Sequence, residues 1–137
     1  IGGSTIGDVG LFTKNVGIAG ATDNLNAVST IGYAADDPAV SKWKKLVEAK
    51  YSGDIFNIYH MFGIASGQFV VEALKKAGAN LTRDSFNEAA SNLSVNTDVY
   101  GGPITCTPTN HLRHNTAAWF GLVDGVTKRL ATTAVTR

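Results

Sequence analysis

His60, His111, His114 and Cys106 are the residues whose types could do chemistry. His111-Leu112-Arg113-His114 could set two imidazoles on one side of a helical turn, as a metal pair needs. The segment follows Pro108-Thr109-Asn110, holds Arg113 inside it and lacks the glutamate of an HExxH motif. It reads as a solvated loop, and no metal site is expected. Cys106 is the single cysteine, so it can form no intrachain disulfide. Neither a nucleophile elbow nor a cysteine signature surrounds it, and it reads as a small buried hydrophobe. No catalytic set and no cofactor are expected.

Two segments could hold a ligand instead. Gly2-Gly3-Ser4-Thr5-Ile6-Gly7 has the glycine spacing of a phosphate loop, but Asp8 stands where the lysine would be. A carboxylate there repels phosphate. The better reading is a strand-to-helix turn that presents backbone N–H groups and the Ser4 and Thr5 hydroxyls to a crevice. In open α/β sheets ligands sit outside the carboxyl ends of strands. A turn with no ligand fits the same residues. Tyr59-His60-Met61-Phe62 is the second segment, placed where a strand would end and a helix begin. An aromatic there can wall a pocket while its hydroxyl fixes a polar group. Tyr59 and Phe62 could equally be ordinary core residues. If the segment is extended, His60 points to the face opposite Tyr59, and only one of them lines the pocket.

The elements that must position these residues follow from local pattern. A short helix is expected over 9–16, and a strand over 27–33 from the alternation in Ala27-Val28-Ser29-Thr30-Ile31. Asp37 is a good N-cap and Pro38 suits the first helical position. Val40, Trp43, Leu46 and Val47 then recur at helical spacing, and the lysines beside them form a solvated face. Residues 55–61 read as a strand from their aromatic and β-branched content. The helix that follows runs over 62–77, with Phe69, Val70, Ala73 and Leu74 on its apolar side. Gly78 ends it, and Lys75 and Lys76 sit where the dipole favours cations. Thr82 caps a third helix whose buried stripe is Phe86, Ala89, Ala90 and Leu93. After residue 96 the pattern turns to strands: 103–106, 117–123 and 126–130, with Asp124-Gly125 as a hairpin turn and a frayed tail. Asn80 and Asn92 match glycosylation acceptors but fit better at helix ends. The order implies an α/β fold, with a mostly parallel sheet, flanking helices and a β-rich end.

Composition excludes several classes. Twelve basic against eleven acidic residues give a net charge of +1, without the basic surplus of a nucleic-acid binder. Hydrophobic residues make up 44% of the 137, too many for a disordered chain. No window of about 18 consecutive apolar residues exists to form a membrane span. The chain opens Ile1-Gly2-Gly3 with neither methionine nor a basic-then-apolar leader. It is expected to be a processed chain or a piece of a longer one.

Several segments together carry a resemblance. They are Asp37-Pro38-Ala39-Val40 with Trp43-Lys44 and Lys50-Tyr51, Glu72-Ala73-Leu74-Lys75-Lys76-Ala77-Gly78, Leu81-Thr82-Arg83-Asp84, Gly102-Pro103-Ile104-Thr105, Thr107-Pro108-Thr109-Asn110-His111 and Trp119-Phe120. In this order they resemble the C-terminal part of type I periplasmic solute-binding proteins of ABC importers. The similar branch binds branched-chain amino acids or aromatic acids. The resemblance implies two α/β lobes joined by crossing strands, with a small solute between them and a membrane permease as partner. It implies that residues 1–28 end the second lobe, 29–36 cross the hinge, 37–100 belong to the first lobe and 101–137 cross back. It implies a periplasmic location and a non-enzymatic role. A small-molecule sensor of the same fold is the alternative. Ser4 and Thr5 match a second-lobe loop that supplies polar groups to the ligand, and Tyr59 matches an aromatic that closes over it. Ser4 stands where amino-acid binders carry an acid for the ligand ammonium, which favours a carboxylate without an amine. A chain lacking the rest of its lobes is expected to expose apolar faces and to self-associate through them.

Overall fold

The computed structural model describes residues 9–18, 24–31, 34, 36–99, 103–111 and 116–134. Its elements are α1 (Val9–Val16), β1 (Asn26–Ser29), α2 (Pro38–Lys50), α3 (Ile58–Ala77), α4 (Arg83–Ser91), β2 (Ser94–Val95), β3 (Ile104–Thr105), β4 (Thr116–Val123) and β5 (Val126–Ala134).

Local capping chemistry sets the helix ends. The Asp37 carboxylate accepts the Ala39 N–H at 2.9 Å, and Pro38 opens α2. Thr82 and Ser85 exchange hydrogen bonds at the start of α4: Ser85 N–H donates to Thr82 Oγ1 at 3.1 Å, and Thr82 N–H to Ser85 Oγ at 2.9 Å. This is a capping box with serine in place of glutamate. Asn92 closes the same helix as its C-cap. Gly78 ends α3 at φ 78°, a conformation that glycine adopts without a Cβ penalty.

The strand expected over 55–61 is instead the cap and first turn of α3. Asn57 Oδ1 accepts the Tyr59 N–H at 2.9 Å, and the Asn57 N–H donates to His60 Nδ1 at 3.2 Å. These two bonds satisfy orphan N–H groups, and α3 therefore starts four residues earlier than the apolar pattern suggests. With that strand gone, the strand–helix–strand unit of a parallel sheet is gone too. Every ladder among the described residues is antiparallel, in the orders β1-β4-β5 and β2-β3. The α/β class stands, and the described residues carry no parallel ladder. β1 is also shorter than expected, and β5 runs on through residues expected to fray.

The hairpin turn follows expectation. Asp124 and Gly125 both take positive φ, 52° and 74°, and so match the right-handed twist of β4 and β5. A bulge interrupts their pairing: Trp119 faces Ala131 and Phe120 faces Arg129, leaving Leu130 as the extra residue of β5. Leu130 lies over Gly121. A Cβ on Gly121 would stand 2.9 Å from Leu130 Cδ1 and 2.8 Å from Asn26 Oδ1. Both are ends of exposed side chains that can swing away. Gly121→Ala is expected to cost about 0.5–1.5 kcal/mol, the range for driving a side chain off its rotamer. A urea-unfolding midpoint unchanged from the parent would refute this.

Burial among the described residues divides into three clusters. Ile31, Val40, Phe56, Ile58, Met61, Ala65 and Val99 form one, between α2 and α3, with Leu11 of α1 packed against it. Phe69, Ala73, Leu93, Val95, Ile104 and Cys106 form the second, under α4 and β2-β3. Ala27, Ala34, Ala118 and Phe120 form the third, on the β1-β4-β5 sheet. Ile31 thus belongs to a helical core and Ala34 to the sheet core, so the chain passes from one to the other within three residues. The expected apolar stripes are narrower than their sequence suggested. Leu46, Val70 and Leu74 stand exposed, and the buried line of α3 is Ile58, Met61, Ala65, Phe69 and Ala73. No helix among the described residues is long and apolar enough to cross a membrane.

Candidate functional site

Tyr59 is the second residue of α3 and is 61% exposed. Successive helical residues diverge by about 100°, not the 180° of a strand. The expectation that Tyr59 and His60 point to opposite faces is therefore corrected: both line one concavity of about 610 Å³, with Val47, Tyr51, Asn57 and Gly63. Gly63 contributes space, since nothing lies within 4 Å of where its Cβ would be.

His60 is held more firmly than its neighbour. Its Nδ1 accepts the Asn57 N–H, which leaves the proton of the neutral ring on Nε2. The ring stacks on Phe56 with centroids 5.2 Å apart, and Nε2 lies 4.0 Å from Asp54 Oδ2. That distance permits attraction but is too long for a hydrogen bond. The concavity thus combines two tyrosines, one oriented imidazole and an apolar floor. Such a surface suits a ligand with an apolar body and a polar group.

Ser4 and Thr5, with the glycine-rich turn that carries them, lie outside the described residues. So do Leu112, Arg113 and His114. His111 is exposed and follows a tight turn in which Thr107 and Asn110 exchange backbone hydrogen bonds at 2.9 and 3.1 Å. Among the described residues, no group of three or more His, Cys, Asp or Glu side chains could hold a metal ion. Cys106 is buried in the second core cluster.

Two features had no local signal in the sequence. The first is a cavity of about 590 Å³ between α2, α3 and β2, walled by Trp43, Ile64, Val71, Leu93 and Val95. At its edge Asp98 gathers three donors: Lys42 Nζ at 2.7 Å, Gln68 Nε2 at 2.8 Å and Trp43 Nε1 at 3.1 Å. Burial raises the Asp98 pKa, but the hydrogen bonds from Lys42, Gln68 and Trp43 and the Lys42 charge outweigh it. The carboxyl is held below its ordinary 3.8. The second is a pair of consecutive ion pairs, Lys128–Asp36 at 2.7 Å and Arg129–Asp37 at 2.9 Å. The hydrogen bond from Lys128 likewise holds the Asp36 carboxyl below 3.8.

Known proteins share this fold. The chain superposes on a possible leucine/isoleucine/valine-binding protein from Rhodopirellula baltica SH 1 with a TM-score of 0.71 and 16% identity, over 94% of this chain and 34% of that one. It superposes on an ABC-transporter solute-binding protein from R. palustris, in complex with benzoate, with a TM-score of 0.64 and 21% identity. That match covers 90% of this chain and 33% of the other. The chain therefore spans about a third of the length of these structures. No curated protein matches it. The model of the periplasmic binding protein family matches residues 9–126. By that match the chain belongs to the periplasmic binding protein family.

Proposed function

We propose that these 137 residues are the C-terminal portion of a two-lobed extracytoplasmic receptor that captures a small organic solute for an ABC importer. Family membership carries the reading. In it, residues 1–28 end the second lobe, 29–36 cross the hinge, 37–100 belong mainly to the first lobe and 101–137 cross back to the second. Ala27, from residues 1–28, shares the sheet core with Ala118 and Phe120, which supports that division. So does the pairing of β4 with β1, which returns the end of the chain beside its earlier segment. Solute binding draws the lobes together, and the closed form docks on the membrane permease.

Tyr59 supplies the aromatic wall from the first lobe, and Ser4 and Thr5 supply hydroxyls from the second. With serine rather than an acid at position 4, the solute class is a carboxylate without an α-amine, an aromatic acid before a branched-chain amino acid. Thermal shift and calorimetry against both classes, in the protein carrying both lobes, test this. Tyr59→Ala is expected to weaken binding roughly tenfold, the loss of about one aromatic contact. Stability should change by no more than about 0.5 kcal/mol, because the side chain is exposed. A panel with no binder, or a binder indifferent to Tyr59→Ala, would overturn the reading.

A further inference from the structure

The two ion pairs stand at one particular place in the fold. Asp36 and Asp37 lie between β1 and α2, just past Ile31 and Ala34, where the chain leaves the sheet core for the helices. Their partners are consecutive residues of β5, each 92 positions away along the chain. Neighbouring residues of a flat strand point to opposite faces. Leu130, the extra residue of the β5 bulge, follows Arg129 directly, and a bulge bends and twists its strand. The local twist lets two consecutive cations reach two consecutive carboxylates.

The Asp37–Arg129 pair is anchored on both sides. Asp37 Oδ2 takes the Arg129 hydrogen bond while its Oδ1 caps α2 through the Ala39 N–H. The Arg129 guanidinium lies 5.7 Å over the ring of Phe120, the most buried large side chain of the sheet core. Arg129 Nε is buried and has no hydrogen-bond partner, so Asp37 is its compensating group. An isolated exposed ion pair would hold little. Here one carboxylate is fixed by a helix N-terminus and one cation by a core aromatic. Separating the sheet from the helices must break both pairs together.

We propose that Asp36-Asp37 and Lys128-Arg129 form a charge latch across the crossing segment, which fixes the angle between the sheet body and the helical body. The proposal rests on the two-lobed reading above for its purpose: a latch at the crossing sets how freely the lobes swing before solute closes them. Its existence as a local device is tested separately.

The test is amide hydrogen exchange on the whole chain. The reporters are the Asp37 N–H, bonded to Ala34 O at 3.0 Å, and the Ile31 N–H, bonded to Ser29 Oγ at 3.3 Å. The references are the amides of Phe69 in α3 and Phe120 in β4. Lys128→Asp replaces attraction by repulsion at a half-exposed position, where folding is not at risk. It should speed exchange at both reporters about tenfold while the references change less than about twofold. The swap Asp36→Lys with Lys128→Asp should restore both reporters. About 0.5 M salt should speed the reporters in the parent and leave them unmoved in Lys128→Asp. Uniform acceleration at reporters and references would show that the pairs add only general stability. Unchanged reporters would show that they hold nothing. Either result overturns the latch. Solute binding by the two-lobed protein with unmoved reporters would overturn the latch alone. A swap-restored pattern in a protein that binds no solute would keep the latch and remove its proposed purpose.

Discussion

Phe120→Ala should cost this chain about 3–5 kcal/mol. Phe120 is 1% exposed and packs with Ala27, Ala34 and Ala118, residues too small to fill the space it would leave, with the partly buried Leu25 and Leu122 against the same cluster. Truncating a buried phenylalanine costs about 3–5 kcal/mol, and the cost is highest where the surroundings cannot collapse. Domains of this size are stable by only about 5–15 kcal/mol. The substitution also removes the ring beneath Arg129, loosening a guanidinium whose Nε is already unpaired. The control is the adjacent Trp119, which lies on the other face of β4 and is 36% exposed. Trp119→Ala deletes a larger side chain but should cost well under the Phe120 value, because water already reaches it. Urea unfolding of both variants, with the slope held equal, decides the matter. Equal losses would mean that the sheet core is not where burial places it.

The legible parts of this fold are those written within four residues. Asp37-Pro38, Thr82, Gly78 and Asp124-Gly125 each fix a backbone conformation through atoms close in sequence, and all four stand where expected. The start of α3 was hidden because His60 does the work that glutamate usually does in a capping box. Ile55, Phe56 and Ile58 meanwhile looked like a strand. That one substitution of role reversed a second inference, since a helix brings Tyr59 and His60 into the same concavity where a strand would have parted them. The Asp98 cluster and the Asp36-Asp37 pairs were invisible for a different reason. Their partners lie 30 to 92 residues away, and no local period links them. Exposed lysines on α2 read as a solvated face; Lys42 is one of them, and it is the donor that neutralises Asp98.

Asp98 is where the second large effect is expected. Its carboxylate ties α2 to α3 through Lys42 and Trp43 on one helix and Gln68 on the other. Hydrogen bonds to a charged acceptor contribute about 1.5–3 kcal/mol each when buried. This carboxylate side chain is 33% exposed, so screening reduces that, and three bonds sharing one group do not add. Asp98→Ala should cost about 1.5–3 kcal/mol in all and leave the Trp43 and Gln68 donors without their acceptor. Asp98→Asn keeps an oxygen for Trp43 and Gln68 but loses the charge facing Lys42, so its cost should be smaller. The pH dependence has a fixed sign. The folded-state pKa lies below the ordinary 3.8, so the contribution is present above that value and is lost as pH falls through the folded pKa. The parent should lose this increment in acid, and Asp98→Asn, with nothing to protonate there, should not. Stability curves of parent and Asp98→Asn that run parallel below pH 3.8 would refute the assignment. Equal costs for the Ala and Asn variants would move the stabilisation from the shared acceptor to the Lys42 charge alone. The two helices would then be joined by packing around the Trp43 cavity rather than by the carboxylate at its edge.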